Sequence, residues 1–323
     1  MDEQDVLAKI FKRFRPGPAD RRSRGVIEGV GDDAALVDLG GRKLAVTVDS
    51  LVEGVDFDLR QAGWDDVGFK AISASVSDLY ACGALPTACL VSAGIPKSAT
   101  PTRVDELLHG VSQAARRHKM SVIGGDLSRS DQLFLDVCSI GRADRGTFKT
   151  RRGARPGDLI FLSGPVGSSR AALLLMKKKS ARIPEILRRA HFRPSPPRLA
   201  GIALGKQKSV TAMMDVSDGL LIDLTRLCSA GGVCAGIYPS DVPVHPHAKS
   251  AFQSMGRDPV QEAMTGGEDY ALLFTVRPPV SKSIGRLGRC IGKILRRTSP
   301  PAIYNMERTP PVPIPPAGFV HQF

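Results

Sequence analysis

Residues 209–224 read SVTAMMDVSDGLLIDL, and this stretch contains the structural unit on which the fold is built. The segment SVTAMMD predicts a strand, and a helix is expected over 219–230 after a short turn containing Gly219. In open α/β sheets, loop residues that follow the strands gather at one edge of the sheet. Asp215 and Asp218 are therefore candidates for a functional site at such an edge.

The same alternation of strands and helices occurs upstream. Residues 43–49 (KLAVTVD) alternate as a strand does, 65–83 have helical spacing, and 87–95 read as a buried strand. A second helix is expected to open at Thr100-Pro101. A strand SVIGG, a Gly-Gly-Asp turn and a strand over 132–141 are expected next.

The pattern begins again after a basic stretch at 142–158, with DLIFLSGPVGSS. This places a domain boundary near residue 145 and predicts two domains, 1–145 and 146–323, in an α+β or α/β protein with mixed sheets. The second domain is expected to contain a helix over about 168–179 and a strand over 268–276. The Pro-rich tail, 309–323, should run extended over the surface.

Composition limits the class of protein. The chain has 323 residues, 42% of them hydrophobic, and its 45 Lys and Arg against 32 Asp and Glu give a net charge of +13. The sequence has no apolar run of the roughly 18 residues that a membrane helix needs, and its start lacks the apolar stretch of a signal peptide, so we expect a cytoplasmic protein. One Trp, four Tyr and no nucleic-acid-binding motif make nucleic acid an unlikely partner.

Aspartates at expected turns, most of them beside glycine, are the most informative feature of the sequence. They occur in Gly31-Asp32-Asp33, Thr47-Val48-Asp49, Ser77-Asp78, Gly124-Gly125-Asp126, Asp215-Val216-Ser217-Asp218-Gly219 and Gly266-Gly267-Glu268-Asp269. If these turns share one sheet edge, at least five carboxylates converge. Any single pair of this kind could be an ordinary turn, since both residues favour turns.

Converging carboxylates raise one another's pKa values unless cations neutralise them. Oxygen ligands without His or Cys favour hard divalent ions, above all Mg²⁺ with substrate phosphates completing the shell. The pattern therefore predicts several Mg²⁺ ions between aspartates and a polyphosphate.

Other motifs limit how phosphate is held. GPVGSS (164–169) lacks the lysine and spacing of a Walker loop, and GVGDDAA (29–35) is not a dinucleotide fingerprint. Basic side chains such as Lys70, Arg129 and Arg151 are candidates to assist, although Lys70 could equally be a solvated helix residue. His191 is expected to be structural, and Ser168 and Ser169 have no recognisable His/Asp companion.

Seven blocks of the sequence, in order and along nearly the whole chain, resemble the thiamine-monophosphate kinase family. They are GVGDDAALV, VTVDSLVEGVDF, FKAISASVSDLYACGALP, VIGGDLSRS, ARPGDLIFLSG, MMDVSDGLLIDL and TGGEDYALLFTV. The resemblance implies ATP-dependent phosphorylation of thiamine monophosphate to thiamine diphosphate with Mg²⁺. It also implies a homodimer whose N-terminal sheets pair into a barrel, with ATP near that junction.

The resemblance also implies roles for individual residues. Positions matching the family's Mg²⁺ ligands are Asp33, Thr47, Asp49, Asp78, Asp126, Asp215 and Asp218. Those matching its ATP contacts are Gly125, Asp126, Arg151 and Ser217, and those matching its substrate contacts are Asp56, Glu268 and Phe319. Asp56 stands where the family usually has His.

Two alternatives remain open from the sequence. One is another ATP-using enzyme of the same superfamily, similar to aminoimidazole ribonucleotide synthetase. The other is a non-catalytic basic protein that binds nucleic acid or acts as a scaffold, a reading motivated by the positive charge and by Asp56.

Overall fold

The structure is a computed structural model that describes residues 3–14, 25–144, 146–178, 182–298 and 302–321. It contains two sheets in sequence order, the first formed by residues up to 142 and the second by residues from 159 onward. The predicted two-domain α/β class with mixed sheets is confirmed. Arg145, where the sequence predicts the domain boundary, lies outside the described residues, and the boundary stays a prediction.

The helices of the described residues are α1 (Glu3–Phe14), α2 (Trp64–Ala81), α3 (Pro101–His118), α4 (Ser168–Lys177), α5 (Glu185–Phe192), α6 (Arg198–Gly205), α7 (Leu220–Gly231), α8 (Pro246–Ser254), α9 (Pro259–Thr265) and α10 (Lys282–Gly285). Four of them, α2, α3, α4 and α7, lie where the pattern predicts them, and the other six in the described residues were not predicted. Thr100 caps α3 by accepting from the Arg103 N–H, as its position before a proline suggests.

The strands divide into two groups. The first sheet contains β1 (Val26–Glu28), β2 (Ala35–Leu39), β3 (Arg42–Val52), β4 (Leu85–Pro96), β5 (Ser121–Ser130) and β6 (Phe134–Arg142). The second contains β7 (Leu159–Leu162), β8 (Val210–Asp215), β9 (Cys234–Ile237), β10 (Leu272–Val276), β11 (Arg289–Leu295), β12 (Ile303–Asn305) and β13 (Val312–Ile314).

The first sheet has the order β1-β2-β3-β6-β4-β5, and only its β4–β5 pair is parallel. Alternation along β6 decides which face is covered: Leu135, Val137 and Ser139 are fully buried, whereas the residues between them are half-buried. At the open edge, β5 is exposed along nearly its whole length. The sheet is therefore packed on one face and leaves its last strand uncovered.

The predicted turn at Gly124-Gly125-Asp126 is wrong, because β5 continues through these residues as one strand. A Cβ at Gly125 would lie 1.7 Å from the carbonyl oxygen of Val91. The glycine is thus needed where β5 approaches β4 closely, beside a register shift at Cys89/Leu90, and no reversal of the chain occurs.

The second sheet has the order β13-β12-β9-β11-β7-β10-β8, with β9 and β12 as its parallel pair. Its core includes Ile160, Leu162, Met214 and Leu273, all fully buried. The strand predicted over 268–276 begins only at Leu272, because Glu268 and Tyr270 have positive φ angles of 64° and 51°. This kinked segment precedes β10 and lies at the functional site.

Helix α2 is the central element of the molecule. It packs against β3 and β6 of the first sheet, against β8 of the second, and against α3 and α6. Gly68 and Gly110 allow α2 and α3 to approach closely, since a Cβ at Gly110 would lie 1.9 Å from the Asp65 carbonyl oxygen. Because nearly every residue of α2 is buried, its polar side chains face protein on all sides.

The tail is extended, as its prolines predict: within the described residues β13 pairs with β12 alone, at the sheet edge, and residues 315–321 contain no regular element. Gln322 and Phe323 lie outside the described residues. None of the helices in the described part of the chain is long and apolar enough to cross a membrane.

Candidate active site

Three carboxylates from distant parts of the chain meet beside α2. Asp33 lies in the loop before β2, Asp78 in the last turn of α2, and Asp215 at the end of β8. One oxygen atom of each lies within 4.8 Å of the others. The structure therefore brings together three of the residues that the sequence singles out.

Hydrogen bonds fix these carboxylates. Thr47 Oγ1 donates to Asp78 Oδ2 at 2.6 Å, and Ser77 Oγ donates to Asp215 Oδ2 at 2.5 Å. Arg151 Nε donates to Asp33 Oδ1 at 3.0 Å. The other oxygen, Asp33 Oδ2, is buried and is one of two such side-chain atoms, among the described residues, without a hydrogen-bond partner. A cation could serve as the missing partner of this buried carboxylate oxygen.

The electrostatics point the same way. Burial raises the pKa values of Asp78 and Asp215 well above their usual range, and neighbouring carboxylates raise them further. Burial, followed by the charges of Asp218 and Asp33, raises the pKa of Asp49 to about 6. Such a cluster binds protons unless cations take their place. The donor set consists only of oxygen atoms, which suits a hard divalent ion.

The route to this cluster differs from the expected one. Asp49 lies within β3, and Asp78 lies within a helix, so neither is at a turn. The carboxylates converge because α2 crosses between β3 and the end of β8, not because loops share one sheet edge. The prediction of aspartates at turns holds for Asp33 and Asp218.

Asp218 lies just before α7, close to Asp223, a residue that the sequence did not single out. Arg226 Nη1 contacts the carboxylates of both Asp218 and Asp223. Asp223 also accepts the backbone N–H groups of Asp218 and Gly219, each at 3.1 Å. Asp223 thus holds the turn in shape. The position of Asp223, one helical turn after Ser217-Asp218-Gly219, is the feature of the sequence from which this role could have been predicted.

Asp126 and Gly125 do not join the cluster within this chain. Both lie on exposed β5, where Ser128 Oγ donates to Asp126 Oδ2 at 3.3 Å. Arg129 is exposed on the same strand. These predicted ligands line neither of the two clefts described next.

Two clefts meet at the carboxylate cluster. The first has a volume of about 1120 Å³ and is lined by Asp56, His191, Glu268, Tyr270 and Phe319, among others. The second has about 1030 Å³ and is lined by Asp32, Asp33, Thr47, Arg151 and Arg226, among others. The walls that they share are formed by Asp49, Asp78, Ser217, Asp218, Ala317 and Gly318. Ligands in the two clefts would face each other across the acidic residues.

Glu268, in the first cleft, has contacts to both of its carboxylate oxygens. Lys70 Nζ lies 2.5 Å from Glu268 Oε1, and both Ser169 Oγ and His191 Nδ1 lie 3.2 Å from Oε2. Lys70 is 1% exposed, so the alternative of a solvated helix residue is wrong. Ser169 does have a companion, since its Oγ lies 2.8 Å from His191 Nδ1. The 22-residue separation of these two residues gave no local pattern to read.

Asp56 and Phe319 also line the first cleft. Asp56 Oδ2 accepts the Val52 N–H at 2.8 Å, which turns this carboxylate toward its own loop. Burial raises the pKa of Asp56, and the Val52 bond and the Lys70 charge counter it. Phe319 is 45% exposed, and its N–H donates to the Asp218 carbonyl oxygen at 2.9 Å. The tail thus reaches the shared wall.

The two sheets, with a carboxylate cluster between two large clefts, are the architecture of the class of protein whose two domains match this chain. Residues 31–143 match the family described as AIR synthase related protein, N-terminal domain, and residues 155–284 match the family described as its C-terminal domain. Within this class the chain belongs to the thiamine-monophosphate kinase family, and it is a phosphotransferase.

The relatives match over most of their length. A thiamine-monophosphate kinase of Aquifex aeolicus is 40% identical over 76% of this chain and 80% of its own. One of Rhodopirellula baltica is 31% identical over 99% and 97%. The solved structure of AaThiL complexed with AMPPCP and TMP is 32% identical, with a TM-score of 0.86 over 99% of this chain and 97% of that one.

Proposed function

We propose that this protein transfers the γ-phosphoryl group of ATP to thiamine monophosphate, giving thiamine diphosphate and ADP. The observation that carries the proposal is the pair of clefts that share an acidic wall at Asp49, Asp78 and Asp218. A donor and an acceptor in separate clefts would bring their phosphates together there. Both products carry phosphates that the wall would repel without cations.

Mg²⁺ ions are the cations that we propose for this wall. Residues that would hold them are Asp33, Thr47, Asp49, Asp78, Asp215 and Asp218. The fit rests on the oxygen-only donor set and on the unpartnered Asp33 Oδ2. When bound, the ions supply charge neutralisation and alignment of the phosphates.

We assign the second cleft to ATP and the first to thiamine monophosphate. Arg151 and Ser217 line the ATP side, and Arg151 brings a guanidinium suited to phosphate oxygens. Asp56, Glu268 and Phe319 line the acceptor side, where an aromatic ring and a carboxylate suit a positively charged ring with N–H groups. This assignment makes the tail part of the acceptor pocket.

The reaction follows from these positions. An oxygen of the acceptor's phosphate forms a bond to the γ-phosphorus, and the bond from that phosphorus to the β–γ bridging oxygen breaks, so that ADP leaves. A phosphate monoester is already anionic near neutral pH, and no side chain has to remove a proton. The chain contributes alignment of the two ligands in adjoining clefts. It also contributes the hydroxyl groups of Thr47 and Ser77, which donate to Asp78 and Asp215 and keep these carboxylates ordered.

A homodimer is part of the proposal. An uncovered edge strand offers unpaired backbone groups, and exposed apolar side chains on β5, namely Val122, Ile123 and Leu127, favour covering it with protein. A second copy that pairs its sheet here would extend the first sheet toward the expected barrel. We further propose that Gly125 and Asp126 act in the site of the partner subunit. The division into domains 1–145 and 146–323 and the cytoplasmic location stay predictions.

The deciding experiment measures ADP release by the purified protein with thiamine monophosphate, with and without Mg²⁺. We expect release only when both are present, with thiamine diphosphate formed in equal amount. An aminoimidazole ribonucleotide precursor serves as the competing acceptor. Turnover of that precursor instead, or salt-sensitive nucleic-acid binding without ATP turnover, would overturn the proposal.

A further inference from the structure

Lys70 is a buried lysine that does not line the acceptor cleft itself. Its ammonium group contacts two residues that do, Asp56 and Glu268. The side chain of Lys70 is 1% exposed, and it lies on α2, nearly all of whose residues are buried. Nζ lies 2.5 Å from Glu268 Oε1 and 3.1 Å from the Asp56 carbonyl oxygen. The ammonium therefore links α2, the loop after β3 and the segment before β10.

The second oxygen of Glu268 is held independently. Ser169 Oγ and His191 Nδ1, on α4 and α5, each lie 3.2 Å from Oε2. The Glu268 backbone is fixed as well, because its N–H donates to the Ser217 carbonyl oxygen at 2.6 Å and its φ is 64°. With both oxygens and the backbone held, the carboxylate has one orientation, and its side chain keeps 28% exposure.

The charge state of Glu268 is fixed by the same contacts. Burial opposes ionisation of this carboxyl group, but the Lys70 charge, followed by the His191 contacts, outweighs burial and lowers its pKa to about 2. The group thus accepts hydrogen bonds and attracts positive charge at every physiological pH. It cannot donate a hydrogen bond.

A direct role for Lys70 on phosphate conflicts with this geometry. The ammonium lies behind Glu268, and a phosphate reaching it would have to displace a carboxylate at 2.5 Å and enter a space where the lysine is almost fully buried. Displacing Glu268 from the ammonium would leave this carboxylate without its counter-charge, which is unfavourable.

We infer that Lys70 is a positioning residue, which orients Glu268 toward the positively charged or N–H-bearing ring part of the acceptor. The inference rests on the proposed function, because it takes Glu268 as an acceptor contact. Lys70 would raise the affinity for the acceptor through Glu268, and not through a contact with phosphate. Lys70 would act without touching either substrate.

The test is a double-mutant cycle with Lys70→Met, Glu268→Gln and the double variant. Methionine keeps most of the buried stem and removes the charge. We expect Lys70→Met and Glu268→Gln each to raise KM for thiamine monophosphate by about tenfold to a hundredfold, the loss expected for one charge-assisted hydrogen bond. KM for ATP and kcat should stay within about twofold, and the double variant should equal Glu268→Gln alone.

The outcomes separate the two proposals. If Glu268→Gln leaves the acceptor KM unchanged, the assignment of Glu268 in the proposed function fails. If Glu268→Gln raises it but the effect of Lys70→Met adds in full to that of Glu268→Gln, or falls mainly on kcat or on KM for ATP, only the positioning role fails. Lys97→Met, at an exposed lysine, is the matched control.

A second variant covers the case in which Lys70→Met does not fold. Ser169→Ala removes one contact on Oε2 and leaves the ammonium in place. It should raise the acceptor KM by a smaller factor, and again without a further effect on the Glu268→Gln background. In thermal unfolding, Glu268→Gln should be less stable than the double variant. The single variant leaves the buried Lys70 charge without its carboxylate, whereas the double variant removes both charges. The reverse order of stability would contradict the pairing.

Discussion

Ser77 Oγ donates a hydrogen bond of 2.5 Å to Asp215 Oδ2, and this bond connects α2 beside the first sheet to the end of β8 in the second. Ser77 is fully buried and Asp215 is 2% exposed, so removing the hydroxyl takes away a donor from a largely buried carboxylate. We expect Ser77→Ala to lower the free energy of unfolding by about 1–3 kcal/mol, measured by urea denaturation. Ser283→Ala, at an exposed serine, should change it by less than about 0.5 kcal/mol. Equal losses in both variants would contradict a special role for the bond.

Asp49→Asn should reduce ADP release by at least about a hundredfold, because it removes a carboxylate from the wall that both clefts share. Its circular dichroism spectrum and its unfolding midpoint should stay close to those of the wild type. The control is Asp105→Asn, an exposed aspartate on α3. Activity near the wild-type level in Asp49→Asn would remove Asp49 from the metal site.

The exposed position of Asp126 leads to a test by mixed dimers. Asp33→Asn and Asp126→Asn should each inactivate the homodimer. If Asp126 serves the partner's site, a heterodimer of the two variants has one site with both changes and one intact site. Heterodimers isolated through two different tags should then recover about half of the wild-type activity. Heterodimers without activity would show that Asp126 acts within its own chain.

His118 predicts a pH dependence of stability. It is buried between Ser73 and Tyr80, with Tyr80 Oη at 3.1 Å from Nδ1 and Ser73 Oγ at 3.3 Å from Nε2. Burial, followed by nearby arginine charges, lowers its pKa to about 4 from the usual 6.5. The unfolded chain therefore binds more protons between these two values, and its contribution to stability, present above about pH 6.5, is lost as the pH falls toward 4.

The loss should be of the order of 3 kcal/mol across that window. The measurement compares unfolding of the wild type and of His118→Gln at several pH values. The difference between them should change with pH below about 6.5 and stay constant above 7. His109→Gln, on the exposed face of α3, provides the control. A pH-independent difference would show that His118 does not titrate in this window.

Much of the architecture follows from local patterns in the sequence. The period-2 alternation of β3 and the proline after Thr100 predict elements close to those found, because strand and helix starts depend on neighbours in the chain. The turn predicted at Gly125 was wrong, since the sequence alone does not distinguish a chain reversal from a close contact between strands. Only the approach of Val91 decides between them.

The sequence predicts less of the candidate site than of the fold. Asp33, Asp78 and Asp215 were found as residues, but their convergence depends on how α2 lies between two sheets. Lys70 carried a partial signal: it stands among small and apolar residues such as Gly68, Ala71 and Ile72, which is unusual for a solvated helix face. His191 and Ser169 carried none, because their partner, Glu268, follows them by more than 70 residues.

The segment Ala317–Gly318 forms part of the partition between the two clefts, each of which is partly open to solvent. Either ligand could consequently arrive or depart while the other stays in place, which corresponds to random-order kinetics through a ternary complex. The same layout suggests an inhibitor design: adenosine and thiamine tethered through a chain of phosphates would fill both chambers at once. Such a bisubstrate compound would gain affinity from two anchors on either side of one shared wall.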